Sequence, residues 1–267
     1  MLKDITLGQY FPGNSIAHKL DPRTKILLVT LYIIALFSAK GWMGYAVMAV
    51  TLAACVKVSH VGLRALVRGL KPLVFIIAFT GILNMFFTPD THYLWEWGIL
   101  RVSVKGIENA LFMVIRIMLL VMGTFLMTYT TSPIRLTDGL ESLLNPLKKI
   151  HVPVHELAMM MAIALRFIPT LIEETDKIMT AQKARGASFS EGNLLQRAKA
   201  LVPILVPLLV SSFHRAEELA TAMECRCYRG ETGRTKMRQL HAAGRDYAAM
   251  TVTLLLFTGA VAVKIIF

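Results

Sequence analysis

The sequence predicts an all-α integral membrane protein with about five transmembrane helices and additional long helices on the cytoplasmic side. Of its 267 residues, 55% are hydrophobic and only 17% are charged, and the mean hydropathy is +0.57. A soluble domain contains about 25% charged residues, so an ordinary soluble enzyme is not expected. The 29 Lys and Arg residues outnumber the 17 Asp and Glu residues, and membrane proteins concentrate their basic residues on the cytoplasmic side.

A helix that spans the bilayer needs roughly 20 mostly apolar residues. Five stretches approach this requirement, namely residues 26–39, 42–56, 72–88, 107–131 and 247–267. The first two are short and are separated only by Lys40 and Gly41. This arrangement predicts a helical hairpin whose turn lies at the outer interface of the membrane.

The basic residues between these stretches predict the orientation of the chain. Four lie before the first stretch, four lie in segment 57–71 and sixteen lie in segment 132–246, but only two lie in segment 89–106. The positive-inside rule then places the N-terminus, 57–71 and 132–246 in the cytoplasm, and 89–106 and the C-terminus outside. Apolar and polar residues alternate from Leu100 to Lys105, which predicts a short strand in the outer loop.

Segment 132–246 is basic, yet it is also rich in helix-forming and apolar residues. Residues 154–187 and 198–229 form two long helical patterns, and the apolar part of the second, 201–210, is too short to span a bilayer. Both helices are therefore expected to graze the membrane and to project their ends into the cytosol. The chain divides accordingly into an N-terminal part with the first four transmembrane helices (1–131), this region (132–246) and a last transmembrane helix (247–267).

A short sequence repeat lies near the ends of these two helical patterns. Residues 180–186 (TAQKARG) resemble residues 221–227 (TAMECRC), at an offset of 41 residues. In both, an arginine stands between two small residues, and the two triplets are Ala184, Arg185, Gly186 and Cys225, Arg226, Cys227. Small neighbours leave the planar guanidinium free to make several donor contacts. This repeat has three alternative explanations: two docking sites for partner proteins, chance similarity, or solvated helix ends.

Motifs for nucleotide binding, metal binding and catalysis are missing from the sequence. It contains neither the phosphate-binding G-x-x-x-x-G-K-[ST] nor the metalloprotease H-E-x-x-H. The pair Cys225 and Cys227 has no second pair to complete a metal site, so two packed thiols are favoured. No catalytic residue, cofactor or metal is therefore predicted, and the positive-inside rule explains the basic excess without nucleic acid.

Two polar residues inside the predicted spans are candidates for function or for helix packing. Arg116 is costly within a membrane, and its partner would be Glu108 or a group on another helix. A structural ion pair is the favoured interpretation. Asn84 is expected to form a helix–helix contact.

Five segments resemble the transmembrane T component of energy-coupling factor transporters. They are residues 18–25 (HKLDPRTK), 132–139 (SPIRLTDG), 164–169 (ALRFIP), 184–186 (ARG) and 222–230 (AMECRCYRG). The similarity runs from about residue 5 to about residue 247, and it is greatest to T components shared by many substrate-binding subunits. The sequence departs from the family pattern in having cysteine on both sides of Arg226.

The resemblance implies a bacterial cell-membrane subunit that binds neither ATP nor the transported solute. In such transporters two ATPase subunits bind ATP, a small S component captures a vitamin or a metal ion, and the T component joins them. Its long cytoplasmic coupling helices cross and end in two arginine motifs, which insert into grooves of the two ATPases. By position these arginines are Arg185 and Arg226, and Ala184, Gly186, Cys225 and Cys227 are their close-packing neighbours.

The apolar stretch 201–210 is also the expected contact for the S component, with Ile204 and Leu208 as candidate residues. A stand-alone permease and an intramembrane enzyme are the two alternatives to this interpretation. A stand-alone permease needs polar groups along a path through the membrane, for which Asn84 and Arg116 give little support. An intramembrane enzyme needs clustered titratable groups within the spans, whereas nearly all histidines lie outside them. The sequence does not identify the transported solute.

Overall fold

In the computed structural model, ten α-helices and one β-hairpin make up the described part of the chain, which comprises residues 10–88, 93–97, 100–187, 189, 193–230 and 239–266. The elements are α1 (Ile16–Lys19), α2 (Pro22–Ser38), α3 (Gly41–Ser59), α4 (Leu63–Leu70), α5 (Val74–Phe87), β1 (Tyr93–Trp97), β2 (Leu100–Ser103), α6 (Val104–Thr130), α7 (Pro133–Leu144), α8 (Val154–Ala184), α9 (Leu194–Cys225) and α10 (Gly244–Ile266). Short 3₁₀ turns connect α4 to α5 and α7 to α8, at Lys71–Leu73 and Asn145–Ile150. The largely helical fold agrees with the predicted all-α class.

The chain forms two compact units. The first unit comprises Gly8–Leu143 together with Leu240–Phe267, and is called here the membrane unit. The second contains Leu144–Gln239, and is called the coupling unit because it carries α8 and α9. The division into 1–131, 132–246 and 247–267 concerns which side of the membrane each part occupies, and it remains a prediction.

Local sequence signals define the ends of the first helices of the membrane unit. The Asp21 carboxylate accepts a hydrogen bond from the Arg23 amide at 2.9 Å, and Pro22 occupies the first helical position of α2. Both features favour a helix start at this point. Gly41 adopts a left-handed φ of +65° between α2 and α3, which lets the chain reverse without steric cost. Only Ala39 and Lys40 separate α2 from α3, as the predicted hairpin requires, and both helices pack against α6 and α10.

Helix α6 packs against α2, α3, α4 and α5 within the membrane unit. Gly123 of α6 lies so close to Tyr32 of α2 that an added Cβ would be 2.6 Å from the ring. The Tyr32 hydroxyl donates to the Leu119 carbonyl one turn earlier on α6, at 3.2 Å. Small residues of this kind allow two helices to approach closely in a membrane.

Within the described residues, five helical segments are long and apolar enough to cross a membrane. Gly41–Ser59, Leu63–Phe87 and Val104–Thr130 coincide with three predicted spans. The other two, Val154–Ala184 and Leu195–Cys225, belong to the coupling unit, where we expected helices that graze the membrane. Helix α2 has 17 residues and is about 25 Å long, slightly less than the ~30 Å hydrocarbon core. The five helices selected by length and composition therefore differ from the five predicted spans at two positions.

Segment 89–106, predicted to face outward, contains the predicted strand. Strand β2 pairs with β1 in an antiparallel hairpin, in which Trp97 is opposite Leu100. The Ser103 hydroxyl then accepts a hydrogen bond from the Gly106 amide at 2.8 Å and caps α6. The hairpin therefore leads directly into the longest helix of the membrane unit.

Candidate functional site

Helices α8 and α9 pack antiparallel to each other in the coupling unit. The Gln182 side-chain amide donates to the Pro203 carbonyl at 3.5 Å, and Arg215 forms an ion pair with Glu174 at 2.6 Å. Farther along, Phe167 and Leu219 line the same apolar groove of about 320 Å³. Residue numbers rise on one helix as they fall on the other, so each helix ends beside the beginning of its partner.

Arg185 is the C-terminal cap of α8. The amide of Gly186 donates to the Lys183 carbonyl, and the amide of Ala187 donates to the Gln182 carbonyl, both at 3.0 Å. Gly186 has a left-handed φ of +88°. This pair of hydrogen bonds with a left-handed residue after the cap is the Schellman motif, which satisfies the last carbonyls of a helix.

Arg226 caps α9 in the same way. The amide of Cys227 donates to the Glu224 carbonyl at 2.8 Å, and the amide of Tyr228 donates to the Met223 carbonyl at 3.0 Å. Cys227 takes the left-handed position with a φ of +55°, although this conformation is costly for a residue with a Cβ. The repeat seen in the sequence therefore corresponds to two equivalent backbone structures.

All six residues of the two triplets are exposed, namely Ala184, Arg185, Gly186, Cys225, Arg226 and Cys227. Backbone hydrogen bonds close each helix end, so the fold of the end does not depend on the guanidinium. The antiparallel register places Arg185 beside the region of α9 near Leu201. Arg226 is 25 residues farther along α9, or about 37 Å at the helical rise per residue. The structure thus presents two separate arginines at opposite ends of a helix pair.

The candidate residues for S-component contact lie on the less exposed side of α9. Ile204 is only 4% exposed, and Leu208 is half-buried. Leu205 and Leu209 of the same stretch are 58% and 59% exposed. A contact role for the 201–210 stretch remains a prediction, but the side chains that a partner can reach directly are the exposed ones rather than Ile204.

Comparison with known proteins identifies the family. The family model described as "Cobalt transport protein" (CbiQ) matches residues 13–237. Proteins named "Energy-coupling factor transporter transmembrane protein EcfT" match over nearly their whole length. The one from Ruminiclostridium cellulolyticum is 49% identical over 267 residues, covering 100% of both chains. The one from Clostridium kluyveri is 54% identical over 257 residues, covering 96% of this chain and 95% of the relative. The chain belongs to the family of energy-coupling factor transporter T components.

Family membership confirms the resemblance derived from the five sequence segments. The family match includes both arginine triplets, α8 and α9. The T component is a multi-pass membrane subunit of a transporter, and its relatives have the same role.

Arg116 of this T component contacts another helix rather than Glu108. Its guanidinium Nε donates to the Tyr45 hydroxyl at 2.9 Å, and its Cζ atom lies 5.7 Å from the ring centroids of Phe37 and Tyr45. A cation enclosed by two rings and a hydroxyl is stabilised within the membrane unit. The favoured ion pair is therefore replaced by a hydrogen bond and cation–π contacts. Glu108 is exposed.

Asn84 makes the helix–helix contact that the sequence predicted. Its side-chain amide donates to the Met113 sulfur on α6 at 2.8 Å and to the Thr80 carbonyl of its own helix at 3.1 Å. The contact links α5 to α6, which supports a packing role.

The two cysteines beside Arg226 are exposed free thiols. Within the described ranges, no three His, Cys, Asp or Glu side chains are grouped so as to hold a metal ion. The prediction that this T component needs no metal or cofactor remains a prediction.

One buried polar cluster was not anticipated from the sequence. The Lys25 ammonium donates to the Thr130 carbonyl and the Thr131 hydroxyl, each at 2.9 Å, and the residue is 6% exposed. The Asp246 carboxylate accepts a hydrogen bond from the Asp21 amide at 2.8 Å. These contacts join the starts of α2 and α10 to the end of α6. The HKLDPRTK segment was recognised as a family motif, but its partners are more than 100 residues away in sequence.

Proposed function

We propose that the chain is the coupling subunit of a bacterial energy-coupling factor importer. It transmits ATP-driven motion of two ATPase subunits to an S component that takes up a vitamin or another micronutrient. The two equivalent arginine-capped helix ends carry this proposal. ATP hydrolysis belongs to the partner subunits, so the chain itself has no catalytic role.

Arg185 and Arg226 are suited to bind a partner because they are exposed while their helix ends are closed by backbone hydrogen bonds. A guanidinium can form two parallel hydrogen bonds to a carboxylate or contact several carbonyl oxygens. The small neighbours Ala184 and Gly186 at one end, and the two cysteines at the other, would let a groove wall approach closely. Each end is thus expected to insert into an acidic or carbonyl-rich groove of one ATPase.

The separation of about 37 Å between the arginines supports one partner at each end rather than one partner for both. Between the two ends, the Glu174 carboxylate accepts hydrogen bonds from Ser211 and Arg215 of α9. These hydrogen bonds make α8 and α9 move together when the distance between the two ATPases changes.

Contact with the S component is assigned to the exposed apolar side chains of the 201–210 stretch. Leu205 and Leu209 lie four residues apart on α9 and are exposed to a similar extent, so they share one face. An exposed apolar patch on a subunit of a complex is typical of a partner contact. Leu205→Asp should release the S component while both ATPases stay bound. Ile204→Asp, in contrast, should destabilise the coupling unit itself because Ile204 is buried.

The proposed orientation has the N-terminus and both arginine motifs in the cytoplasm of the bacterial cell. A membrane-impermeant thiol reagent should therefore label a cysteine introduced at Thr91, which lies outside the described residues, but not Cys225 in intact cells. Labelling of Cys225 from outside would reverse the orientation.

Gentle purification of the tagged chain tests the proposed function. Two ATPases and one or more small hydrophobic S components should co-purify with it. A chain that purifies alone and transports a solute in vesicles without added ATPases would instead establish a stand-alone permease.

A further inference from the structure

A groove of about 660 Å³ opens in the membrane unit, and its walls come from α1, α2, α3, α6 and α10. Its lining is almost entirely apolar. Val50 of α3 and Val252 of α10 contribute to the walls, and they are 69% and 55% exposed. Two of these walls, α3 and α6, are long and apolar enough to cross a membrane. The groove therefore opens where the surrounding solvent is lipid.

The groove has the length of one bilayer leaflet. On α3 it extends from Ala46 to Val58, which is about 18 Å at the helical rise per residue. Half of the hydrocarbon core is about 15 Å thick. A partner helix that crosses the whole bilayer is about 30 Å long and would extend beyond the groove, whereas an acyl chain of one leaflet matches its length.

Its three threonines present no free hydroxyl donor to a polar solute. Thr51, Thr130 and Thr253 each donate to a carbonyl of their own helix, at 2.8, 2.9 and 2.9 Å. The groove therefore suits an apolar chain better than a polar one.

A buried basic side chain lies at one end of the groove, with Arg135 and the Asp246 carboxylate close to it. Lys25 lines the groove there, in the first turn of α2 and ahead of the predicted span 26–39. Burial and the nearby Arg135 lower the pKa of Lys25 to about 8, and Asp246 acts in the opposite direction. The lowered pKa indicates a net unfavourable environment for the ammonium, which an added anion would relieve.

We infer that this groove binds one acyl chain of an anionic phospholipid, with the headgroup at the Lys25 end. The chain would cover the apolar walls over the depth of one leaflet, and the phosphate would offset the positive charge near Lys25 and Arg135. This inference is independent of the ATPase-coupling role, because it concerns only the membrane unit.

The test uses the full-length chain in phosphatidylcholine vesicles that contain a trace of photoactivatable phosphatidylglycerol or phosphatidylcholine. Adducts on each peptide are quantified by mass spectrometry. The phosphatidylglycerol probe should label the groove-facing parts of α3 and α10 about fivefold more than the phosphatidylcholine probe, as expected for one basic side chain near an anionic headgroup. Lys25→Gln should abolish this preference, and Lys25→Arg should retain it.

Ala54→Trp fills the groove without changing its charge, and it should remove the groove adducts for both probes. Lys57→Gln changes an exposed lysine on α3, and Val67→Trp enlarges an exposed residue on α4. Both controls should leave labelling as in the parent chain. Equal labelling on all lipid-facing helices, or groove adducts that persist in Ala54→Trp, would overturn the inference. Loss of the adducts when an S component is added would also overturn it, because a protein would then occupy the groove.

Discussion

The left-handed residue after each arginine should control how firmly the helix end is held. Gly186→Ala places a Cβ in open space, because no other atom lies within 4 Å of the added carbon. The alanine must, however, keep the backbone φ of +88°. The cost is therefore conformational, at about 1–2 kcal/mol. The amides of Gly186 and Ala187 donate the hydrogen bonds that depend on this conformation. Opening of this helix end should become about 5–30 times more populated.

Hydrogen–deuterium exchange on the purified chain measures that opening directly. Gly186→Ala should accelerate exchange at residues 186 and 187 by the same factor. Gly244→Ala is the matched control, because its Cβ also meets open space while its φ is ordinary. Exchange that is unchanged in Gly186→Ala, or equally accelerated at the α8 end by Gly244→Ala, would refute the reasoning.

The second helix end allows the converse substitution. Cys227 already has a Cβ at φ +55°, so Cys227→Gly removes a similar conformational cost. Glycine also loses more backbone entropy, at about 0.5–1 kcal/mol. The net gain is about 0–1.5 kcal/mol, so exchange at residues 227 and 228 should slow by up to about tenfold. Faster exchange in this variant would show that Cys227 stabilises the end in another way.

Two further predictions concern the membrane unit. Tyr45→Phe removes the hydroxyl that binds Arg116 and should lower the free energy of unfolding by about 1.5–3 kcal/mol. The same substitution should cost less in a chain that already carries Arg116→Met. An equal cost in both backgrounds would contradict the contact. Because the pKa of Lys25 falls from 10.5 to about 8 in the folded chain, the unfolded chain binds more protons between these values and stability should rise with pH there. The thermal midpoint, measured across this pH range, should rise less in Lys25→Met than in the parent chain. Arg135 and Asp246 remain in this variant. An equal rise in the variant and the parent chain would refute the role of Lys25.

The apolar stretches and helical patterns of the sequence made most helices predictable. The three spans that coincide with α3, α4–α5 and α6 are mostly apolar and contain few polar residues such as Asn84 and Arg116, so their hydrophobic pattern is clear. Helix ends were less predictable. Helix α9 begins at Leu194 rather than residue 198, because Asn193 and Gln196 form a capping box. It ends at Cys225 rather than residue 229, because Cys227 adopts a conformation that the sequence favours mainly for glycine.

The partners of polar residues could not be predicted, because they come from distant parts of the chain. Arg116 contacts Tyr45, 71 residues away, whereas the sequence suggested Glu108 as one nearby candidate on the same helix. Asp21 and Asp246 are 225 residues apart. The paired arginine ends were visible because each depends on a local segment of seven residues. Their equal backbone geometry became apparent only in the structure.

Replacement of both arginines tests the central claim most directly. Removing a charged group from a desolvated interface costs about 2–5 kcal/mol, so Arg185→Ala or Arg226→Ala should weaken ATPase binding or uncouple ATP hydrolysis from transport. The effect should be greater in the double variant, and Arg→Lys should not restore function because lysine lacks the planar fork. Arg197→Ala and Arg238→Ala, the latter outside the described residues, serve as controls and should have mild effects.

The measurement is ATP-driven solute uptake by the assembled transporter in vesicles, with the amount of bound ATPase determined on the same preparation. The double variant should lose uptake, either with its ATPases dissociated or with ATP hydrolysis that no longer drives transport. Uptake at the parent rate by the double variant, with both ATPases still bound, would contradict the coupling role of Arg185 and Arg226.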